Sequence, residues 1–193
     1  MVESARVRVY IACSFDGFIA GPGDDLSWLP GADPARGEQT APCPPDDPGA
    51  VQYEQFMAEV GVLLMGRRTY DAVLGFGIDW PYGDRTVLVA THRPLQSPIP
   101  TVRPVCGPIN HMIRTARRAA GTRDVYLDGG QLVRQALDAE LIDDLIVTLV
   151  PELLGSGQPL FSGLRQRHSL DFTGMFRFGR TMFQVHARPR AAS

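Results

Sequence analysis

Long apolar runs are missing from this chain. No stretch reaches the roughly twenty apolar residues that a bilayer-spanning helix needs, which excludes a transmembrane helix. The opening MVESARVRVYIACS has an acid at Glu3 and passes directly into a strand pattern, so no secretory signal is expected. The default compartment is the cytoplasm. Positive charge is not in excess. The 19 Lys and Arg against 21 Asp and Glu give a net charge of −2, which argues against a nucleic-acid binder or a membrane-surface protein. Cysteine is scarce. Cys13, Cys43 and Cys106 are odd in number and form no CxxC pair, which argues against a disulfide framework and a structural zinc site. His92, His111, His168 and His186 show no metal-ligand spacing, so no metal is expected. Neither G-x-G-x-x-G nor G-x-x-x-x-G-K-[ST] occurs, so there is no standard Rossmann fingerprint and no P-loop. No internal repeat is present.

What remains is a chain of 193 residues, 44% apolar and 21% charged, enough for one globular domain with a sizeable core. Strand patterns fall at 6–14, 62–65, 85–90, 102–105, 124–127 and 145–150. Helical patterns fall at 51–60, from Tyr70 to about 75, at 108–120 and from Gly130 to Leu137. Two further strands, 169–172 and 176–187, suggest a hairpin around Phe178–Thr181. The segment from about 30 to 50 is rich in Pro, Gly and Asp, has no periodicity, and reads as a long loop insertion. Strands alternate with helices and then give way to strands alone. That order predicts a single α/β domain over 1–193, with a mostly parallel central sheet and antiparallel C-terminal strands.

The stretch Val62–Tyr70, VLLMGRRTY, organises this pattern. A buried strand ends at Gly66 and a helix follows. A helix N-terminus presents free backbone N–H groups and the positive end of the helix dipole. Arg67, Arg68 and Thr69 placed there make an anion site, most naturally for phosphate. Thr91-His92-Arg93 follows another strand, and Gly129-Gly130-Gln131 opens another helix. In open α/β sheets, ligands bind beyond the carboxyl ends of the strands. Two basic or hydroxylic turns and one glycine turn suit a ligand with separated phosphates, better a dinucleotide with a 2′-phosphate than a mononucleotide.

These blocks resemble the dihydrofolate reductase-like superfamily, which includes the reductase domain of riboflavin biosynthesis. The resemblance rests on Ser14-Phe15-Asp16-Gly17-Phe18-Ile19-Ala20, on Leu64–Tyr70, on Asp128-Gly129-Gly130 and on Leu145–Thr148. It implies a three-layer sandwich that binds NADPH. Gly66, Arg67, Arg68 and Thr69 would then bind its 2′-phosphate and pyrophosphate, and Thr91, His92 and Arg93 its adenosine end. Gly129 and Gly130 would be joined by a cis peptide, with the amides of Gln131 and Leu132 facing the pyrophosphate. Ala12 and Ile19 would line the nicotinamide pocket. Trp28, Gln52 and Thr148 would form the catalytic end, ordering the water that supplies a proton, and Phe56 would face the substrate.

Two positions differ from the familiar members of the superfamily. Gln52 stands where folate reductases carry a helix carboxylate, with Asp46 or Asp47 in the loop as the nearest substitutes. Phe18 stands where riboflavin-pathway reductases usually carry Lys. The resemblance therefore implies an NADPH-dependent reductase of a small pteridine- or pyrimidine-like heterocycle. The alternatives are a riboflavin-pathway 5-amino-6-(5-phosphoribosylamino)uracil reductase and a non-catalytic nucleotide- or drug-binding protein. A homodimer is a further implication of the resemblance.

Overall fold

The computed structural model describes residues 5–30 and 46–190. Its strands are β1 (Val7–Ser14), β2 (Phe18–Ala20), β3 (Val60–Gly66), β4 (Thr86–Ala90), β5 (Val102–Val105), β6 (Asp124–Asp128), β7 (Asp144–Val150), β8 (Gln158–Pro159), β9 (Leu170–Phe178) and β10 (Met182–Pro189). Its helices are α1 (Tyr53–Glu59), α2 (Arg67–Gly75), α3 (Ile109–Ala120) and α4 (Gly130–Asp138).

The main sheet has eight strands in the order β5-β4-β3-β6-β1-β7-β10-β9. The first six run parallel. Then β10 pairs antiparallel with β7, and β9 antiparallel with β10. This is the α/β sandwich with antiparallel C-terminal strands that the element order predicts. β2 and β8 form a small separate sheet.

Side-chain alternation along each strand divides the core in two. Tyr10, Leu63, Met65, Val87, Val89, Tyr126 and Ile146 pack with Phe56 and Met57 of α1 and Tyr70 and Val73 of α2. Val9, Val62, Leu64, Val125, Leu127, Leu145 and Val147 pack with α3 and α4. Helices therefore cover both faces of the parallel strands, which is why those strands read as nearly unbroken apolar runs.

Several element boundaries differ from the sequence reading. The expected 51–60 helix contracts to α1, because Val60 pairs with Asp124 and begins β3. α2 starts at Arg67, three residues before its apolar stripe, because Gly66 is its N-cap. β10 runs to Pro189, two residues past the expected end at 187, because Arg188 and Pro189 pair with β9. Most of the expected 30–50 loop insertion lies outside the described residues. The expected cis bond at Gly129-Gly130 is not present, for among the described residues no peptide bond is cis. The tight turn is made instead by Gly129 at φ +100.

Cys13 is buried and Cys106 exposed, both as free thiols. Among the described residues no cluster of three or more metal-ligating side chains forms. None of their helices is long and apolar enough to cross a membrane.

Candidate functional site

The two ends of the parallel strands are built differently. The amino end is filled with ion pairs: Asp124 accepts from Arg6 at 2.7 Å and from Arg8 at 3.0 Å, and Arg8 is also paired with Glu59. The carboxyl end carries glycine turns and helix N-termini.

At that carboxyl end, β3 and β6 lie side by side, with Met65 opposite Asp128. Their following turns therefore meet. A Cβ on Gly129 would sit 2.9 Å from Thr69 Oγ1 and 3.6 Å from the Gly66 nitrogen. A Cβ on Gly130 would sit 2.6 Å from the Pro159 carbonyl and 3.2 Å from Ile19 Cδ1. The absence of side chains at this pair thus lets α2, α4, β2 and β8 converge. Gly66, Thr69, Gly129, Gly130 and Ile19 form one contiguous group. Gly66 differs from the glycine pair: a Cβ there would meet no atom within 4 Å, so open space lies over the N-terminus of α2. Gln131 and Leu132 occupy the first turn of α4, where backbone N–H groups have no helical acceptor.

Asp16 fixes the turn that carries Ile19. Its carboxylate accepts from Ser14 Oγ at 2.6 Å, from Gly155 N–H at 2.7 Å and from Leu154 N–H at 3.1 Å. Ser14 Oγ in turn accepts from Phe18 N–H at 2.9 Å. The β1–β2 turn is thereby stapled to the chain after β7. These hydrogen bonds favour the ionised form and hold the Asp16 carboxyl below the usual carboxylate range, with the Ser14 bond the largest cause.

The basic residues flank the glycine group. The Nε of Arg67 donates to Asp71 at 2.8 Å, and its Nη1 reaches the Pro94 carbonyl at 3.5 Å, toward the loop after β4. Arg68 points the other way, its Nε donating to Asp24 at 2.7 Å in the loop after β2. Thr91 closes its own turn by accepting from Arg93 N–H at 3.1 Å, while His92 and Arg93 are exposed.

One group was missed in the sequence reading. Asp128, the last residue of β6, faces the tyrosine-rich side of the sheet. Burial pushes its carboxyl up to about 6, while the Gly129 N–H beside it pulls the other way. Its field is felt by Tyr53, pushed up to about 12 mainly by burial, and by Tyr82 and Tyr126, both raised by burial first. A carboxyl of raised proton affinity at the carboxyl end of the central strands is a candidate functional group. The available signal was an acid ending a buried strand directly before Gly-Gly.

The sequence and the fold are shared with known proteins. A family model for the RibD C-terminal domain matches residues 83–183. A Bacillus subtilis (strain 168) protein, the uncharacterized protein YwjB, is 30% identical over 181 residues, 94% of this chain and 96% of the relative. This chain belongs to the RibD C-terminal domain family. A crystal structure of a putative riboflavin biosynthesis protein from Shewanella sp. PV-4 superposes with TM-score 0.78 at 30% identity, covering 96% of this chain and 99% of that one. The fold is also that of a Thermotoga maritima diaminohydroxyphosphoribosylaminopyrimidine deaminase/5-amino-6-(5-phosphoribosylamino)uracil reductase, with TM-score 0.64 and 14% identity. There the match covers 97% of this chain and 57% of the larger protein.

Within this RibD-like frame, three expected substrate-end residues are held in contacts of the protein's own. Phe56 does not face a ligand. It is fully buried, with its ring 4.9 Å from Tyr10 and 5.0 Å from Tyr126, and the Arg8 guanidinium lies 5.0 Å over it. Trp28 is buried and its indole N–H donates to the Asp25 carbonyl at 3.2 Å, so it anchors its own loop. Gln52 is the N-cap of α1; its side-chain amide binds Asp46, and its backbone N–H donates to Gln55. Asp46 and Asp47 are also committed, Asp46 to Gly179 N–H and Asp47 to Arg177 N–H at 2.7 Å. Thr148 is buried on β7 in register with Ala12 of β1 and Gln184 of β10. The row Ala12–Thr148–Gln184 thus lies across the tyrosine-side face.

Proposed function

We propose that this protein is an NADPH-dependent reductase of a small nitrogen heterocycle, pteridine- or pyrimidine-like, with Asp128 as its acid. The observation that carries this reading is a half-buried carboxyl of raised proton affinity, set beside a phosphate-type turn group at one end of the sheet. The residues fit the cofactor. Open space lies over the helix at Gly66, the α4 amides at Gln131 and Leu132 lack helical acceptors, and two guanidinium groups flank the glycine pair. In this reading Gly66, Arg67, Arg68, Thr69, Gly129, Gly130, Gln131 and Leu132 hold the phosphates, and Thr91, His92 and Arg93 the adenosine end. Ala12 and Ile19 line the nicotinamide side. When bound, NADPH supplies a hydride.

The chain's own contribution is orientation and a proton. Asp16 holds the β1–β2 turn so that Ile19 stays against Gly130. Asp128 anchors a ring N–H or a protonated ring nitrogen, and near neutrality it both holds and releases a proton. Half-buried Tyr53 on the same side offers an apolar ring with a hydroxyl tip, suited to a planar ring. All 19 basic residues are Arg, so no lysine takes the place that Phe18 occupies in the sequence pattern.

Titration of the purified protein with NADPH and NADH, followed by nicotinamide fluorescence, tests the cofactor reading. NADPH is expected to bind at least about tenfold more tightly, and Arg67→Ala to remove most of that preference by losing the contact to the 2′-phosphate. No binding of either nucleotide would sink the reductase and leave the non-catalytic reading. Turnover of 5-amino-6-(5-phosphoribosylamino)uracil would instead favour the riboflavin-pathway reading.

A homodimer is also proposed. Phe172, Met175 and Phe183 are exposed on the C-terminal hairpin, on the α3/α4 side of the sheet, beyond the strands those helices cover. Phe183→Lys is expected to halve the mass measured by light scattering. An unchanged mass would remove this face from the interface.

A further inference from the structure

The two arginines expected to meet the cofactor's phosphates are not free. Each already holds a carboxylate, and the two carboxylates come from different parts of the fold. Asp71 sits one turn along α2 from Arg67 and takes its Nε through both oxygens, at 2.8 and 2.9 Å. Asp24 comes from the loop after β2 and takes the Nε of Arg68 at 2.6–2.7 Å. That loop is a closed unit. Gly21 N–H donates to the Asp25 carbonyl at 2.8 Å, Ser27 N–H to the Asp25 side chain at 3.0 Å, and buried Trp28 pins the carbonyl of Asp25. Asp24 itself stands at φ +66, a conformation that L-residues other than Asn and Asp rarely take. The Asp24 carboxylate is therefore presented to Arg68 by a constrained loop.

We propose that Asp24 and Asp71 are built-in competitors for phosphate, each setting the affinity for a different part of the dinucleotide. The proposal rests on the NADPH reading above. A phosphate binding either guanidinium must displace a carboxylate or share the arginine with it, and in both cases negative charge meets negative charge. The directions of the two arginines divide the labour. Arg67 also reaches the Pro94 carbonyl, so it leans toward the turn assigned to the adenosine end, where the 2′-phosphate lies. Arg68 leans toward the loop after β2, the strand that carries Ile19 onto the Gly130 turn, and so meets the pyrophosphate. Asp71 thus tunes the choice between NADPH and NADH, while Asp24 tunes the affinity for both.

The substitutions Asp24→Asn and Asp71→Asn test this. Asn tolerates the backbone of Asp24 and still accepts a hydrogen bond, so the change is confined to charge. NADPH and NADH dissociation constants would be measured for each variant at low salt and at 0.5 M KCl. Asp24→Asn is expected to tighten both nucleotides by about three- to fivefold, the scale of an exposed ion pair. Asp71→Asn is expected to tighten NADPH by a similar factor and to leave NADH nearly unchanged. Both gains should shrink at high salt. Wild-type binding of NADPH with no gain in either variant overturns the inference and leaves the cofactor reading standing. Weaker binding in Asp24→Asn also overturns it, because Asp24 would then be supporting the site. Failure of the wild type and of both variants to bind either nucleotide overturns the inference together with the cofactor reading.

Discussion

Asp128→Asn is expected to lower reductase turnover at least about a hundredfold, the range for loss of a general acid or base. The same change is expected to make the protein more stable. The sign follows from the direction of the shift. Burial raises the folded-state carboxyl from 3.8 to about 6. Between those values the native protein keeps a proton that the unfolded chain has lost. Native stability therefore falls as pH rises through this window, and the penalty is complete above about pH 6. A gap from 3.8 to about 6, at about 1.4 kcal/mol per pH unit, amounts to roughly 3 kcal/mol. Asn carries no charge at any pH and escapes that penalty. Urea midpoints for wild type and variant should nearly coincide around pH 4, separate through pH 5, and remain apart from pH 6.5 upward. A constant separation at every pH would mean that Asp128 does not titrate in this window. Unchanged turnover would remove it from the chemistry. Gain in stability with loss of activity is the usual mark of a functional group held in an unfavourable environment.

Gly129→Ala is expected to cost about 2–3 kcal/mol and to weaken NADPH binding more than tenfold. Two effects add. A residue with a Cβ at φ +100 is strained by about 1–3 kcal/mol. The new methyl would also stand 2.9 Å from Thr69 Oγ1, closer than carbon and oxygen tolerate. Relief would move the turn before α4 away from the turn before α2, separating the amides of Gln131 and Leu132 from Thr69. Thermal melting should drop by roughly 5–10 °C, given a few degrees per kcal/mol for a chain of this size. Adding Thr69→Ala to Gly129→Ala removes the close contact but not the backbone strain. The double variant should regain part of the lost melting temperature and none of the cofactor affinity. Full thermal recovery would mean that crowding alone accounts for the glycine.

The fold was legible because its signals are local and repeated. Val62–Met65, Thr86–Ala90 and Leu145–Val150 are apolar runs of strand length, and the stripe Ile109, Met112, Ile113, Ala116, Ala120 is helical. Such runs predict a sheet covered on both faces, and the two clusters of buried residues are that arrangement. The glycine pair and the GRRT turn were legible for the same reason, since each is a strand end and a helix start within six residues. The substrate end was harder to read. Trp28, Gln52 and Phe56 are residue types that suit a ligand and suit a core or a cap equally. Spacing along a helix says which residues share a face, not what that face meets. Phe56 meets Tyr10 and Tyr126 from β1 and β6, more than forty residues away on either side in sequence.

By itself, then, the sequence determined the class of the fold, the order of its elements and the place of the glycine and GRRT turns, because each is set by periodicity and turn chemistry over a few residues. Only the tertiary structure decided which carboxyl at the strand ends has a raised proton affinity and which partners the arginines hold. Asp128 acquires its proton affinity from desolvation beside Tyr126 of its own strand and near Tyr53 and Tyr82, which come from two distant segments. Arg68 finds Asp24 across 44 positions of chain. Desolvation and charge pairing depend on distance in space, and that distance is written only in the folded molecule.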